Sequence, residues 1–171
     1  MTLSSCLDQL PKLAKFLLNS KSIFLLSPLS TLCYASEIAL KLKETLYIHA
    51  ESFLAGNFSH GPMALVNNEN DLKPEEKTKI ICLLIGEEGV NRALKVVKEA
   101  RSKGAWVMVL TDIQNFEEKG TPADEVVKIP YLKHFGGVLG LIVLQVLVLE
   151  MAEAKGGDID NPRNITKYVV V

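Results

Sequence analysis

Three runs of the sequence are apolar almost without a break and end in turn residues: KSIFLLSP (21–28), KIICLLIG (79–86) and AWVMVLTD (105–112). A strand with one face in water alternates apolar and polar residues, whereas a strand that is apolar throughout has both faces covered. Between the second and third runs lies EGVNRALKVVKEARSKG (88–104), with apolar residues at helical spacing and Gly104 in place to close the helix. LDQLPKLAKFLLNS (7–20) repeats the pattern, although Pro11 limits where that helix can begin. DEVVKIP (124–130) adds a fourth strand, stopped by Pro130. Doubly buried strands alternating with helices predict an α/β fold: a parallel β-sheet flanked on both faces by helices and joined by right-handed crossovers. At 171 residues the chain forms one domain with a substantial core.

The remaining segments carry less information. Residues 67–78 and 113–123 read as irregular connections. From about Tyr131 to Lys155 the pattern is helical and strongly apolar, and FGGVLGLIVLQVLVLEMA (135–152) raises the question of a membrane span. Its uninterrupted part is shorter than the roughly 18 residues a span requires, and Gln145 and Glu150 break it, so a buried core helix is expected. No secretory leader is read in the first 20 residues, and a formal net charge of -1 gives no basic footprint for nucleic acid or anionic lipid. Cys6, Cys33 and Cys82 form no CxxC pair and no metal-ligand spacing. Reduced thiols in a cytoplasmic protein are expected, with neither metal nor organic cofactor.

Ligands of open α/β sheets bind beyond the carboxyl ends of the strands. The first such turn, LLSPLSTLC, has no glycine, and the second, GEEGVN, places two carboxylates where a phosphate would sit. Neither is a persuasive anion nest. The charged residues Glu37, Lys41 and Glu44 instead share a helical face at i, i+4 and i+7, opposite a stripe of Ile38, Ala39, Leu42 and Leu46. Ser30 or Thr31 can cap this helix. Spacing alone leaves two readings open. One is a solvated ion-pair face; the other is a site in which the lysine holds one carboxylate ionised while another moves a proton. His49 falls in the helix's last turn on this reading, in a capping or packing role. His134 reads as a helix-start residue. His60 stands in a Ser-His-Gly-Pro turn, either structural or an acid/base group for neutral pH.

EIALKLKETLYIHAESFLAGNFSHGPMALV (37–66), followed downstream by GGDIDNPRNITKYVVV (156–171), resembles the second sugar-isomerase (SIS) domain of the glutamine–fructose-6-phosphate aminotransferase, or glucosamine-6-phosphate synthase, family. The resemblance covers nearly the whole chain. It implies a single three-layer, flavodoxin-like SIS domain over residues 1–171, with 156–171 as an active-site tail. It also implies roles. Glu44 matches the base that moves a proton between C1 and C2 of the sugar. His60 matches the ring-opening residue, which in that family reaches a neighbouring subunit's site. Lys167 matches the tail lysine that can form a Schiff base with the open-chain sugar. Glu37 and Lys41 match charged residues lining the same site, and Arg163 a tail arginine that helps place the lysine. The implied ligand is a sugar phosphate, fructose-6-phosphate or glucosamine-6-phosphate, and the implied partner a second copy or another SIS domain. The family's glutaminase domain and first SIS domain have no counterpart in these residues, and its usual G-R-G after the first strand is replaced by Ser-Pro-Leu (27–29). A phosphosugar isomerase module inactive by itself is therefore expected. The alternative is a non-catalytic SIS module that senses a sugar phosphate or mediates dimerisation. A deglycase-type enzyme using the same carboxylate is a third reading.

Overall fold

The computed structural model describes residues 3–67, 72–116, 120 and 123–165. The elements follow in order: α1 (Leu3–Leu7), α2 (Leu10–Leu17), β1 (Ser22–Ser27), α3 (Leu32–Leu46), β2 (His49–Leu54), α4 (Ala55–Phe58), β3 (Lys79–Leu84), α5 (Val90–Ser102), β4 (Trp106–Thr111), β5 (Glu125–Lys128) and α6 (Gly136–Lys155). The five strands pair in parallel in the order β2-β1-β3-β4-β5. This is the doubly wound arrangement in which the direction of winding reverses between β1 and β3.

The central strands are buried on both faces, as their composition requires. Ile23 and Leu25 of β1, Ile81 and Leu83 of β3, and Met108 and Leu110 of β4 point into one core, with α2, α3 and α6. Their neighbours Phe24, Leu26, Ile80, Cys82, Leu84, Val107 and Val109 point into the other, with α4 and α5. The molecule is thus a three-layer sandwich, and each helix belongs to one side of the sheet.

Two expectations need correction. The helix carrying the charged face stops at Leu46, and His49 opens a strand that pairs with β1 from Ser22↔His49 to Ser27↔Leu54. Tyr47 ends the helix in the left-handed conformation, at φ 59°. Glycine is the usual residue there because a Cβ costs roughly 1 kcal/mol or more. With tyrosine in its place the sequence carries no stop signal, and β2, an edge strand exposed at His49 and Glu51, lacks the apolar run that marks the central strands. The second correction concerns the cap of α3. Thr31 occupies the N-cap position, yet its hydroxyl is buried without a hydrogen-bond partner among the described residues.

The last helix starts at Gly136 rather than Tyr131 and packs on α2 and α3 through Val143, Leu144, Leu147, Val148, Met151 and Ala152. It is long and apolar enough to cross a membrane by length and composition, but 39% of its most apolar window is buried inside this domain. That is the pattern of a core helix. Val138, Ile142 and Leu149 remain on its outer side.

One buried charge fixes the start of β3. The Lys79 ammonium donates to the carbonyls of Pro74 (2.7 Å), Glu75 (3.0 Å) and Lys77 (2.7 Å) and lies 5.2 Å from the centre of the Phe16 ring. Burial pulls its pKa below the ordinary lysine value, and the Glu75 carboxylate partly opposes this. Lys79→Met would strand three carbonyl acceptors. It is predicted to lower stability by about 1–3 kcal/mol, read as a shift of the urea midpoint at unchanged m-value.

Candidate functional site

The stripe predicted for α3 is present: Ala35, Ile38, Ala39, Leu42 and Leu46 are buried against the sheet and α6. The opposite face then has to carry the charges. Lys41 Nζ lies 2.7 Å from Glu44 Oε2 and 3.5 Å from Glu37 Oε1, so one ammonium bridges two carboxylates one turn either side of it. The hydrogen bond to Glu44 is the main cause of a raised lysine pKa, with burial opposing it and the charges of Glu44 and Glu37 adding to it. These side chains keep only 27–37% of their accessible surface, half-sunk beside an apolar groove of about 220 Å³. Lys41, Thr45, Gln145, Leu149 and Ile159 line that groove.

The carboxyl-terminal segment closes over the end of the same helix. Gly156 ends α6 in the left-handed conformation, at φ 69°. Asp158 Oδ1 accepts the N–H groups of Asp160 and Asn161, at 3.0 and 3.1 Å, and folds the segment into a turn. Arg163 then donates its backbone N–H to Tyr47 Oη at 3.1 Å, and its guanidinium lies 3.9 Å from the centre of the Tyr47 ring. The structure therefore brings Arg163 to the helix end that carries Glu44. Lys167 lies outside the described residues.

His60 is elsewhere. It follows α4, whose Phe58 is buried in the α5-side core, and its neighbour Ser59 donates to Glu99 of α5 at 3.1 Å. His60 is exposed, and its N–H bonds to the Asn57 carbonyl at 3.1 Å. Glu44 belongs to the layer on the other side of the sheet, near the amino end of β2, a strand that runs roughly 17 Å before α4 begins. Within one chain the two residues do not form one site. His49, at the start of β2, is exposed with Nε2 3.6 Å from Glu51 Oε1.

A larger open cleft of about 890 Å³ lies beyond the carboxyl ends of the strands, bounded by Thr31, Tyr34, Gly86, Asp112 and His134 among others. The sequence reading named the location but not Asp112, whose carboxylate is buried at the end of β4. Asp112 Oδ1 accepts the Gly86 N–H at 2.8 Å, and Oδ2 lies 2.8 Å from where a Cβ on Gly136, at the start of α6, would stand. The electropositive ends of this cleft thus already face a carboxylate, which opposes a phosphate there. Among the described residues no cluster of His, Cys, Asp or Glu could hold a metal ion. Tyr47 is the other residue missed. Its signal was the absence of glycine at a helix end that must turn sharply into a strand.

The charged face resists alkali in a definite way. Because Lys41's pKa is raised in the folded state, its pairing is fully present below the unfolded lysine value of about 10.4 and is lost as pH rises through the folded value. Half-exposed pairs contribute at most about 1 kcal/mol. The stability difference between wild type and Lys41→Met is predicted to be small, flat from pH 6 to 9, and to shrink above about pH 10.4 in urea unfolding.

No protein-family model matches the chain. It is 37% identical over 154 residues to the glutamine–fructose-6-phosphate aminotransferase (isomerizing) of Caldanaerobacter subterraneus subsp. tengcongensis, covering 90% of this chain and 24% of that protein. Among solved structures, the C-terminal domain of the Francisella tularensis glucosamine–fructose-6-phosphate aminotransferase matches with a TM-score of 0.78 at 25% identity, over 93% of this chain and 43% of that one. The Vibrio vulnificus NanR protein complexed with ManNAc-6P shares the fold, with a TM-score of 0.65 at 12% identity, over 87% of this chain and 55% of that one. With its charged helix, its docked tail and this likeness over nearly its full length, the chain is an SIS domain homologous to the C-terminal SIS domain of glutamine–fructose-6-phosphate aminotransferases, and it spans about a quarter of the length of the curated relative it matches.

Proposed function

We propose that the chain is a phosphosugar isomerase module whose catalytic carboxylate is Glu44. The observation that carries this reading is the placing of Glu37, Lys41 and Glu44 on one half-buried face with the 156–165 segment folded over its end. Moving a proton between adjacent carbons needs one carboxylate able to reach both, and here an ammonium 2.7 Å away fixes where that carboxylate stands. Lys41 supplies the ammonium. On the family pattern, Glu44 takes the C1 proton of the open-chain sugar and returns it at C2. Lys167, by the same pattern, holds the open-chain sugar through its amine.

The substrate is a sugar phosphate such as fructose-6-phosphate, and the setting is cytoplasmic. The phosphate grip comes from outside these residues, since the strand-end turns present carboxylates rather than an anion nest. A different SIS domain, one that carries phosphate-binding loops, supplies it. His60, on the opposite layer, serves a partner's site rather than its own. A non-catalytic sensor is the second reading. What favours it is the turn after β1, which has no glycine to shape a phosphate nest.

Solvent deuterium distinguishes the two. The chain combined with an SIS domain that carries Ser/Thr phosphate loops is predicted to exchange deuterium into C1 of fructose-6-phosphate or C2 of the aldose formed from it. Glu44→Gln should slow this by about 10²–10⁴-fold with binding retained, and mixing Glu44→Gln with His60→Asn chains should restore part of the rate. Binding without exchange establishes the sensor. No binding, and no effect of Glu44→Gln, retires the sugar-site reading.

A further inference from the structure

We propose that Tyr47 is the positioning residue of this site: its ring is the post on which the carboxyl-terminal segment is seated, three residues after Glu44. The inference rests on the sugar-site reading for its consequence and on observed geometry for its mechanism. Tyr47 occupies a left-handed position, φ 59°, where a tyrosine is costly and a glycine or asparagine would be comfortable. A residue that pays such strain is held there by what its side chain does. Two cations converge on the ring. Arg163 stacks its guanidinium 3.9 Å from the ring centre while its own N–H reaches the phenolic oxygen at 3.1 Å. Lys155, in the last turn of α6, places its ammonium 5.4 Å from the same centre and also donates to the Leu46 carbonyl.

The segment between those two cations is shaped to make the crossing. Gly156 turns it off the helix, Gly157 donates its N–H to the Ala152 carbonyl at 3.2 Å, and Ile159 packs on the α3–α6 core. Asp158 then folds the chain back, so that Arg163 arrives over Tyr47. Since Tyr47 is joined to Glu44 by less than one turn of backbone, seating the segment on the ring sets its distance from the carboxylate. The phenol and the ring contribute separately: one holds the Arg163 N–H, the other the two cations.

Two variants separate the ring from the backbone strain. Tyr47→Asn keeps a residue suited to the left-handed turn and removes the platform, while Tyr47→Phe keeps the platform and removes the hydroxyl. Amide hydrogen exchange of the full chain is expected to quicken over residues 159–163 by roughly 10-fold or more in Tyr47→Asn. In Tyr47→Phe it should quicken only a few-fold, centred on Arg163, while β1 and β3 keep their protection in both. Affinity for fructose-6-phosphate, measured by titration calorimetry on the chain combined with the SIS domain that carries the phosphate loops, should fall with the loosened tail in Tyr47→Asn and recover most of the way in Tyr47→Phe. Unchanged exchange in Tyr47→Asn overturns the docking itself. A loosened tail with unchanged affinity overturns the positioning role while leaving the sugar site standing. A wild-type combination that binds no sugar phosphate overturns both that role and the site, whereas the exchange result still decides whether Tyr47 seats the tail.

Discussion

The burial of β1, β3 and β4 on both faces is the constraint from which the rest of the molecule follows. Every second residue of these strands needs apolar cover on each side, so helices must lie on both, and each connection must cross to a fixed layer. That assigns α2, α3 and α6 to one face and α4 and α5 to the other. The functional consequence is direct. The carboxylates of α3 can meet the segment that leaves α6, because both helices share a layer, and they cannot meet His60, because α4 does not. On the proposed function, an enzyme assembled from such a domain takes one acid/base group, and its phosphate grip, from elsewhere.

Within the shared layer, Lys41 does electrostatic work out of proportion to its contribution to stability. An ammonium 2.7 Å from one carboxylate and 3.5 Å from the other holds the i and i+7 pair as a set on one half-buried face. The contrast with Lys79 is instructive. That ammonium is turned inward to three carbonyls and ties down a loop, and no carboxylate reaches it within ion-pair distance among the described residues. The same side chain ties backbone carbonyls in one place and bridges titratable carboxylates in the other.

Much of this could be read from the residues. The uniformly apolar runs announced the central strands and their parallel pairing, and the spacing of Glu37, Lys41 and Glu44 announced their common face. What escaped was local and for a physical reason in each case. β2 was hidden because an edge strand with His49 and Glu51 exposed has no apolar signature, and because Tyr47, not glycine, ends the helix before it. Asp112 was invisible as a partner of Gly86 because their contact joins residues far apart in sequence across neighbouring strand ends. The tail's attachment to Tyr47 depends on the path from Gly156 to Arg163, which no periodicity encodes. The roles given to Glu44, His60 and Arg163 came from likeness to a family, and the layers of the fold then divided them.

The most direct test is where the sugar phosphate binds. Backbone NMR of the full chain, combined with the SIS domain that carries the phosphate loops and titrated with fructose-6-phosphate, should place the largest shift changes at residues 37–47 and 156–165, along one face of α3 and the segment seated on it. Changes confined to the strand-end cleft around Thr31, Gly86 and Asp112 would contradict the account.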